Sequence, residues 1–331
     1  MTDTKHSTLQ AIDSQRRVRV TAPARLHMGF IDLDGSLGRR FGGVGAPLNE
    51  IATVVTLQAA PRLSAEGPDA ERAAGYAEKL CAALGVADHL HICVLQAIPG
   101  HVGLGSGTQL ALAVATAVNS LYGLDLNLAD IVRLTGRGAR SGIGIAAFQQ
   151  GGLIVDGGCG ADTVIPPVVV RLPMPAAWRF LLVFDESGTG LHGVSEVAAF
   201  QALPPFPAVL SAHLCHLLIM RGLPALVEND IGLFGSVITE LQMTVGDHFA
   251  PAQGGRFTSP AVAEVLAWLE RQGAVGMGQS SWGPTGFCLV DGAEPAAALL
   301  QAAQQRFAGR LGVRLMLATC RNNGAELVTL D

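Results

Sequence analysis

No lysine-rich run occurs anywhere in the 331 residues, and charge of either sign is scarce: 22 Lys plus Arg against 27 Asp plus Glu, 15% of the chain, for a net charge of −5. Nucleic-acid binders draw affinity from clustered cations, so the composition argues against a nucleic-acid partner. Mean hydropathy is positive, +0.38. Even so, the longest apolar stretches, Leu110–Leu121 and Leu210–Met220, fall short of the roughly 20 residues that span a bilayer. No membrane partner is expected. The opening segment, MTDTKHSTLQAIDSQRR, has no apolar signal-peptide core. It reads as a disordered tail over residues 1–16, and the location expected is cytoplasmic. Six scattered cysteines contain no C-x-x-C pair, which argues against a structural zinc site and a disulfide scaffold. His213-Leu-Cys215-His216 lies in an apolar helical run and reads as packing.

What the chain has in quantity is hydrophobic residues, 49%, and glycine, 41 positions. That length and composition support two domains with a sizeable core. Strand patterns fall at 17–21, 51–58, 91–97, 152–155, 164–171, 180–185 and 313–318. Helical spacing falls at 70–84, from the glycine loop to Gly123, and at 125–134, 207–220, 223–243, 260–272 and 296–307. Apolar segments at 273–277 and 285–290 complete the pattern. Strands and helices alternate in both halves, which gives a mixed α/β (α+β) class. Pro173–Pro175 marks a boundary, with one domain over 17–172 and a second over 173–331.

The strongest local motif is Pro99-Gly-His101-Val-Gly103-Leu-Gly105-Ser106-Gly107-Thr108-Gln109. Closely spaced glycines let successive N–H groups converge on an anion, and the loop opens into a helix whose amino end favours negative charge. Ser106 and Thr108 add hydroxyls. No Lys follows, so it is not a Walker A loop, and the spacing is not G-x-G-x-x-G. Three more glycine-rich segments accompany it. Arg25-Leu-His27-Met-Gly-Phe-Ile-Asp32 runs into Asp34-Gly-Ser-Leu-Gly-Arg39-Arg40. Ser141-Gly-Ile-Gly-Ile-Ala-Ala-Phe148 leads to Asp156-Gly-Gly. Gly278-Gln279-Ser280-Ser281-Trp282-Gly-Pro-Thr-Gly lies near the end. Four such loops over both halves suggest one cleft between two domains.

These residues resemble the GHMP kinase superfamily. The segments RLHMGFIDLDGSLGR, HVGLGSGTQLALA, SGIGIAAFQQGGLIVDGG and GQSSWGPTGF, with Gln253-Gly-Gly, are similar to one branch of it, the β-ribofuranosylaminobenzene 5′-phosphate synthases of tetrahydromethanopterin biosynthesis. The resemblance implies a ribosomal-protein-like N-terminal α/β domain and a ferredoxin-like C-terminal domain. It also implies a reaction: 4-aminobenzoate or 4-hydroxybenzoate attacks C1 of phosphoribosyl pyrophosphate through its carboxyl-bearing carbon, releasing pyrophosphate and CO2. Superfamily kinases that use a catalytic aspartate carry it after the S-G of the middle motif; here Gly142-Ile-Gly-Ile145 has no carboxylate. An ATP-dependent small-molecule kinase is therefore the second reading, and a non-catalytic ligand sensor the third.

The implied roles follow. Gly103, Gly105, Ser106, Gly107, Thr108, Gln109 and His101 would cradle pyrophosphate, with Mg²⁺ bridging its oxygens. Arg25, Arg39 and Arg40 would bind the 5′-phosphate or the carboxylate. His27 would hydrogen-bond a phosphate or the ring substituent. Asp32 would orient Arg25 or hold a ribose hydroxyl, and Asp156 would hold Mg²⁺. Gln279, Ser281 and Trp282 would line the aromatic site, Trp282 by stacking. A homodimer is compatible with this class.

Overall fold

The computed structural model describes residues 16–138, 141–185, 187, 203–309 and 312–330. Residues 1–15 of the expected tail lie outside the described residues, as does Glu186, which follows the strand pattern at 180–185.

The chain begins with two long antiparallel strands, β1 (Arg17–Asp32) and β2 (Phe41–Ala59). They outrun the expected short strands because their glycine-rich ends are extended backbone rather than loop. Register shifts at Pro23/Arg25 and His27/Gly29 bend the ladder. The bend lets one parity of β1 serve two cores. Val18, Val20 and Ala22 face one cluster, while Ala24, Leu26, Met28 and Phe30 face another. After β3 (Ser64–Glu66) and α1 (Ala70–Leu84) comes β4 (Leu90–Gln96). The loop then opens into α2 (Ser106–Tyr122), followed by α3 (Leu128–Thr135) and α4 (Ile143–Gln149). Helix α2 is buried almost all round, as an apolar helix without a polar face must be. Helix α4 occupies the middle glycine motif, which reads as a loop in sequence. Its glycines serve close packing: a Cβ on Gly144 would stand 3.3 Å from Thr108 Cγ2. Strands β5 (Leu153–Asp156) and β6 (Val168–Leu172) complete this part.

The second half supplies β7 (Trp178–Asp185), α5 (Ala208–Leu217) running through a π turn at Leu218–Gly222 into α6 (Leu223–Val227), and the long α7 (Ile231–Gln253). The single helix expected over 223–243 is two: Asn229 adopts φ 59° and Asp230 caps α7 by accepting from Leu233 N. Then come α8 (Pro260–Arg271), β8 (Val275–Gln279), β9 (Gly286–Asp291), α9 (Ala293–Arg306), β10 (Val313–Ala318) and β11 (Glu326–Leu330).

Strand order β10-β7-β9-β8, all antiparallel, with the sequence β-α-β-β-α-β once α5–α7 are set aside, is the ferredoxin-like arrangement. Alternation along β7 sends Leu181 and Val183 to α8 and α9. It sends Phe180, Leu182 and Phe184 to a core shared with β1 and α7. The first sheet has order β11-β1-β2-β4-β3, with β5 and β6 attached through β2. Strand β11 pairs with β1 over Arg17–Thr21. The chain therefore returns to the first sheet at its end, and a single division at Pro173 does not describe the path.

His213 Nε2 pairs with Glu240 Oε1 at 2.6 Å and Cys215 points its thiol at Ile31 O; His213 and His216 are exposed, so of the His-Cys-His motif only Cys215 packs. Among the described residues one helical run, Ala208–Val227, is long and apolar enough to cross a membrane by length and composition. Its Ser211, Leu214, Leu218, Ala225 and Leu226 are buried, which suits a core helix equally.

Candidate active site

The glycine loop is locked between β1 and the loop that joins β8 to β9. Arg25 N donates to Leu104 O at 3.0 Å and its Nη1 to Gly103 O at 2.5 Å. Gly103 and Gly105 adopt φ of +83° and +82°, a region that favours glycine. A Cβ on Gly103 would meet Ser280 O at 2.1 Å, and one on Gly283 would meet Val102 C at 2.2 Å. The two loops thus touch backbone to backbone. Ser280, fully buried, joins them: its Oγ donates to Gly103 O at 2.7 Å and accepts from His27 N at 3.0 Å.

Beyond Ser280 a narrow cleft opens, with about 30 Å³ of space inside it, lined by His27, Phe30, Phe249 and Trp282 together with Gln242, Gln253, Gln279, Ser281 and Arg256. The Phe249 and Trp282 rings lie 4.5 Å apart, and His27 and Phe30 4.7 Å. Amides interlock around the rim. Gln279 accepts from Thr258 N at 2.6 Å and donates to Ser281 O at 3.0 Å, while Gln242 Nε2 donates to Met28 O at 2.6 Å. Arg256 is held by Asp247, 2.6 and 2.9 Å.

His27 is 2% exposed, and burial, aided by the Arg25 guanidinium, pushes its pKa down to about 3. The ring is neutral at physiological pH. Its Nδ1 accepts from Gly29 N at 3.3 Å.

The expected residues divide. Arg25, His27, Gly103, Gly105, Gln279, Ser281 and Trp282 gather at the loop and cleft. Ser106 opens α2, and His101, with φ 60°, sits on the exposed shoulder of the loop. Gly107 lies where a Cβ would be 3.3 Å from Arg72 Nη2 and 3.6 Å from Arg137 Nη1, two guanidiniums that no motif singled out. Thr108 and Gln109 turn inward: the Gln109 amide donates to Gly144 O at 2.7 Å and is fully buried. It braces α2 on α4 and does not reach the anion site.

Asp32 accepts from Asp34 N at 3.0 Å and Gly35 N at 3.1 Å. It caps the turn at the end of β1 that lies away from Arg25. Arg39 donates to Gly157 O and Gly158 O, and Arg40 to Asp34 O. Both guanidiniums brace the β1–β2 hairpin end instead of meeting the glycine loop.

Asp156 is fully buried. It accepts from Gly142 N and Gly158 N, each at 2.9 Å, and from Ser141 Oγ at 3.3 Å. Burial raises its pKa against these donors. Its oxygens are engaged at the amino end of α4, which itself has no acidic residue in its first turn. No group of three or more His, Cys, Asp or Glu able to hold a metal is gathered among the described residues. The residues present therefore do not form a protein cage for Mg²⁺.

Of Gln242, Phe249, Gln253 and Arg256 only Gln253 stood in a motif of the sequence; 242, 245, 249 and 253 fall on one face of α7, which runs past the helix expected over 223–243. Sequence alone gave no sign that this face meets the β8–β9 loop.

Residues 71–152 match the model of the GHMP kinases N terminal domain, and 223–309 that of the GHMP kinases C terminal domain. The chain is 33% identical over 297 residues to a beta-ribofuranosylphenol 5′-phosphate synthase of Methanothermobacter thermautotrophicus, covering 82% of this chain and 88% of that protein. It is 33% identical over 325 residues to the synthase of the same name from Archaeoglobus fulgidus, covering 94% and 99%. The chain belongs to the beta-ribofuranosylphenol 5′-phosphate synthase family. It is an enzyme of the GHMP kinase fold. A homoserine kinase from Cytophaga hutchinsonii superposes with TM-score 0.67 over 96% of this chain and 99% of that one, at 20% identity. That likeness concerns the fold.

Proposed function

We propose that this synthase joins phosphoribosyl pyrophosphate to 4-hydroxybenzoate, or less readily 4-aminobenzoate, giving β-ribofuranosylphenol 5′-phosphate (or its amino analogue), CO2 and pyrophosphate. The carboxyl-bearing ring carbon bonds to C1 of the ribose as the C1–O bond to pyrophosphate breaks. The bond to the carboxyl group then breaks, its electrons restoring the aromatic ring as CO2 leaves. No proton is removed from the attacking carbon, which suits a site with no carboxylate in α4.

The observation that carries the reading is Ser280, whose two hydrogen bonds tie a glycine-rich anion loop to a cleft walled by Phe30, Phe249 and Trp282. The loop N–H groups and the amino end of α2 favour the departing pyrophosphate, with Arg25 fixing the loop's shape. The tilted Phe249 and Trp282 rings, 4.5 Å apart, give the cleft an apolar aromatic wall that suits a planar acid. Holding both reactants in register supplies much of the rate. Mg²⁺, in this reading, arrives on the pyrophosphate oxygens. The product named in the relatives favours the phenol.

An ATP-dependent kinase would need a base where α4 has none. Six free cysteines suit a reducing cytoplasm. Pyrophosphate release from phosphoribosyl pyrophosphate that depends on the aromatic acid is the expected result. ATP turnover with an alcohol such as homoserine, and none with the ribosyl donor, would favour the kinase.

A further inference from the structure

Two arginines that belong to none of the glycine-rich motifs meet at the amino end of α2. Arg72, on the first turn of α1, lies across the glycine loop. Its Nη1 stands 4.0 Å from where a Cβ on Gly100 would sit, and its Nη2 3.3 Å from one on Gly107. Arg137, just past α3, reaches the same spot: its Nη1 and Nη2 stand 3.6 and 3.7 Å from the Gly107 position. Gly107 is helical and its φ is not positive, so its backbone does not call for glycine. What its missing side chain leaves is room between two guanidiniums.

Both groups are half-buried and held in place. Arg72 Nη1 pairs with Asp69 Oδ2 at 2.9 Å. Arg137 donates to the Tyr76 hydroxyl and lies over that ring, 5.3 Å from its centroid. As a set of charges this arrangement is unfavourable by itself. Arginine does not give up its proton, like charges repel, and the positive end of a helix dipole disfavours cations. Among the described residues only one carboxylate, Asp69, pairs with either guanidinium, and no side chain caps α2. An anion seated beside Gly107 removes the conflict.

The anion can be narrowed by charge and extent. A phosphate monoester carries about −1.5 to −2 near neutral pH. A pyrophosphate group carries more and spreads it over two phosphorus centres, which suits two separate guanidiniums beside a row of N–H groups. We propose that Arg72 and Arg137 bind the pyrophosphate group of the ribosyl donor, and that its 5′-phosphate lies elsewhere. The inference rests on the reaction proposed above and names the side chains that take up its leaving group. When the C1–O bond breaks, its electron pair passes to the pyrophosphate oxygen. Guanidiniums fixed beside that group strengthen their bonds as the charge grows.

The test is calorimetric binding, with Mg²⁺ and the full chain, of inorganic pyrophosphate, phosphoribosyl pyrophosphate, ribose 5-phosphate and ATP. Arg72→Gln and Arg137→Gln should each weaken pyrophosphate and the ribosyl donor at least about tenfold, while ribose 5-phosphate changes less than about twofold. Arg133→Gln, which removes an exposed arginine of α3 paired with Asp130, should leave all four ligands unchanged and so controls for net charge. Gly107→Ala sets a methyl between the guanidiniums. Because alanine is the better helix former, that variant should bind pyrophosphate several-fold more weakly with no fall in its urea midpoint. Should Arg137→Gln not fold, Arg72→Gln and Gly107→Ala carry the test.

Pyrophosphate affinity unchanged in the folded variants overturns the assignment. So does an equal loss of ribose 5-phosphate, which would place the 5′-phosphate there, and so does wild type that binds ATP more tightly than the ribosyl donor. Turnover is measured separately. Wild type that binds pyrophosphate through these arginines but releases no CO2 with the ribosyl donor overturns the reaction and leaves the assignment standing.

Discussion

At the residue scale, His27 shows how burial fixes chemistry. Its folded pKa, about 3, lies below the value of 6.5 expected when exposed. Between those values the unfolded chain binds a proton that the folded chain refuses. This contribution to stability is therefore fully present above pH 6.5 and is lost as pH falls toward 3. Comparing denaturant unfolding of wild type and His27→Gln from pH 6.5 to 4 should show wild type losing up to about 1.4 kcal/mol more per pH unit. Parallel pH profiles would contradict a buried neutral ring. Gly105 is the second residue-scale case. Its φ of +82° and the 3.0 Å separation between an added Cβ and Arg25 Cγ leave no room for a branched side chain. Gly105→Val should weaken phosphoribosyl pyrophosphate binding more than tenfold in a chain that still folds; normal affinity in that variant would remove the loop from the site.

At the element scale, the contact between the glycine loop and the β8–β9 loop carries the site. Ser280→Ala removes one donor and one acceptor from a buried junction and should cost about 1–3 kcal/mol in urea unfolding. The KM for the ribosyl donor should rise in the same variant. A stable variant with unchanged KM would show that the junction does not position the loop. Much at this scale was legible in sequence, and for identifiable reasons. Helix α1 has helical spacing and a glycine stop, and the loop opening α2 has a glycine pattern with few alternatives.

What was not legible depended on contacts made far along the chain. The same glycine density that marks a phosphate loop at 103–107 marks close packing at 142–144 and extended strand at 42–45. Composition does not separate these uses. Arg39 and Arg40 have the charge for phosphate, yet the hairpin turns them onto backbone carbonyls. Asp156 has the charge for a metal, yet Ser141 and Gly142 at the start of α4 and Gly158 just after β5 donate to it.

For the whole molecule, the two sheets share a core in which β1, β7, β9 and α7 meet, and β11 returns to pair with β1. Each half has a core of its own, but the apolar residues of the shared cluster are covered only where the halves meet. A fragment ending at residue 172 should lack cooperative unfolding by circular dichroism and should recover it when co-expressed with 173–331; independent folding of the fragment would contradict the shared core. The cleft sits at this junction, so the proposed anion loop and aromatic wall are held by one continuous core.

The most direct measurement is release of labelled CO2 from carboxyl-labelled 4-hydroxybenzoate, with Mg²⁺ and phosphoribosyl pyrophosphate, set against ring-labelled acid and against ATP in place of the donor. The expected result is one CO2 per pyrophosphate formed, only with the ribosyl donor, while the ring label passes wholly into a phosphorylated product. No CO2 from folded protein with either para-substituted acid, or a product that retains the carboxyl label, would contradict the decarboxylating synthesis.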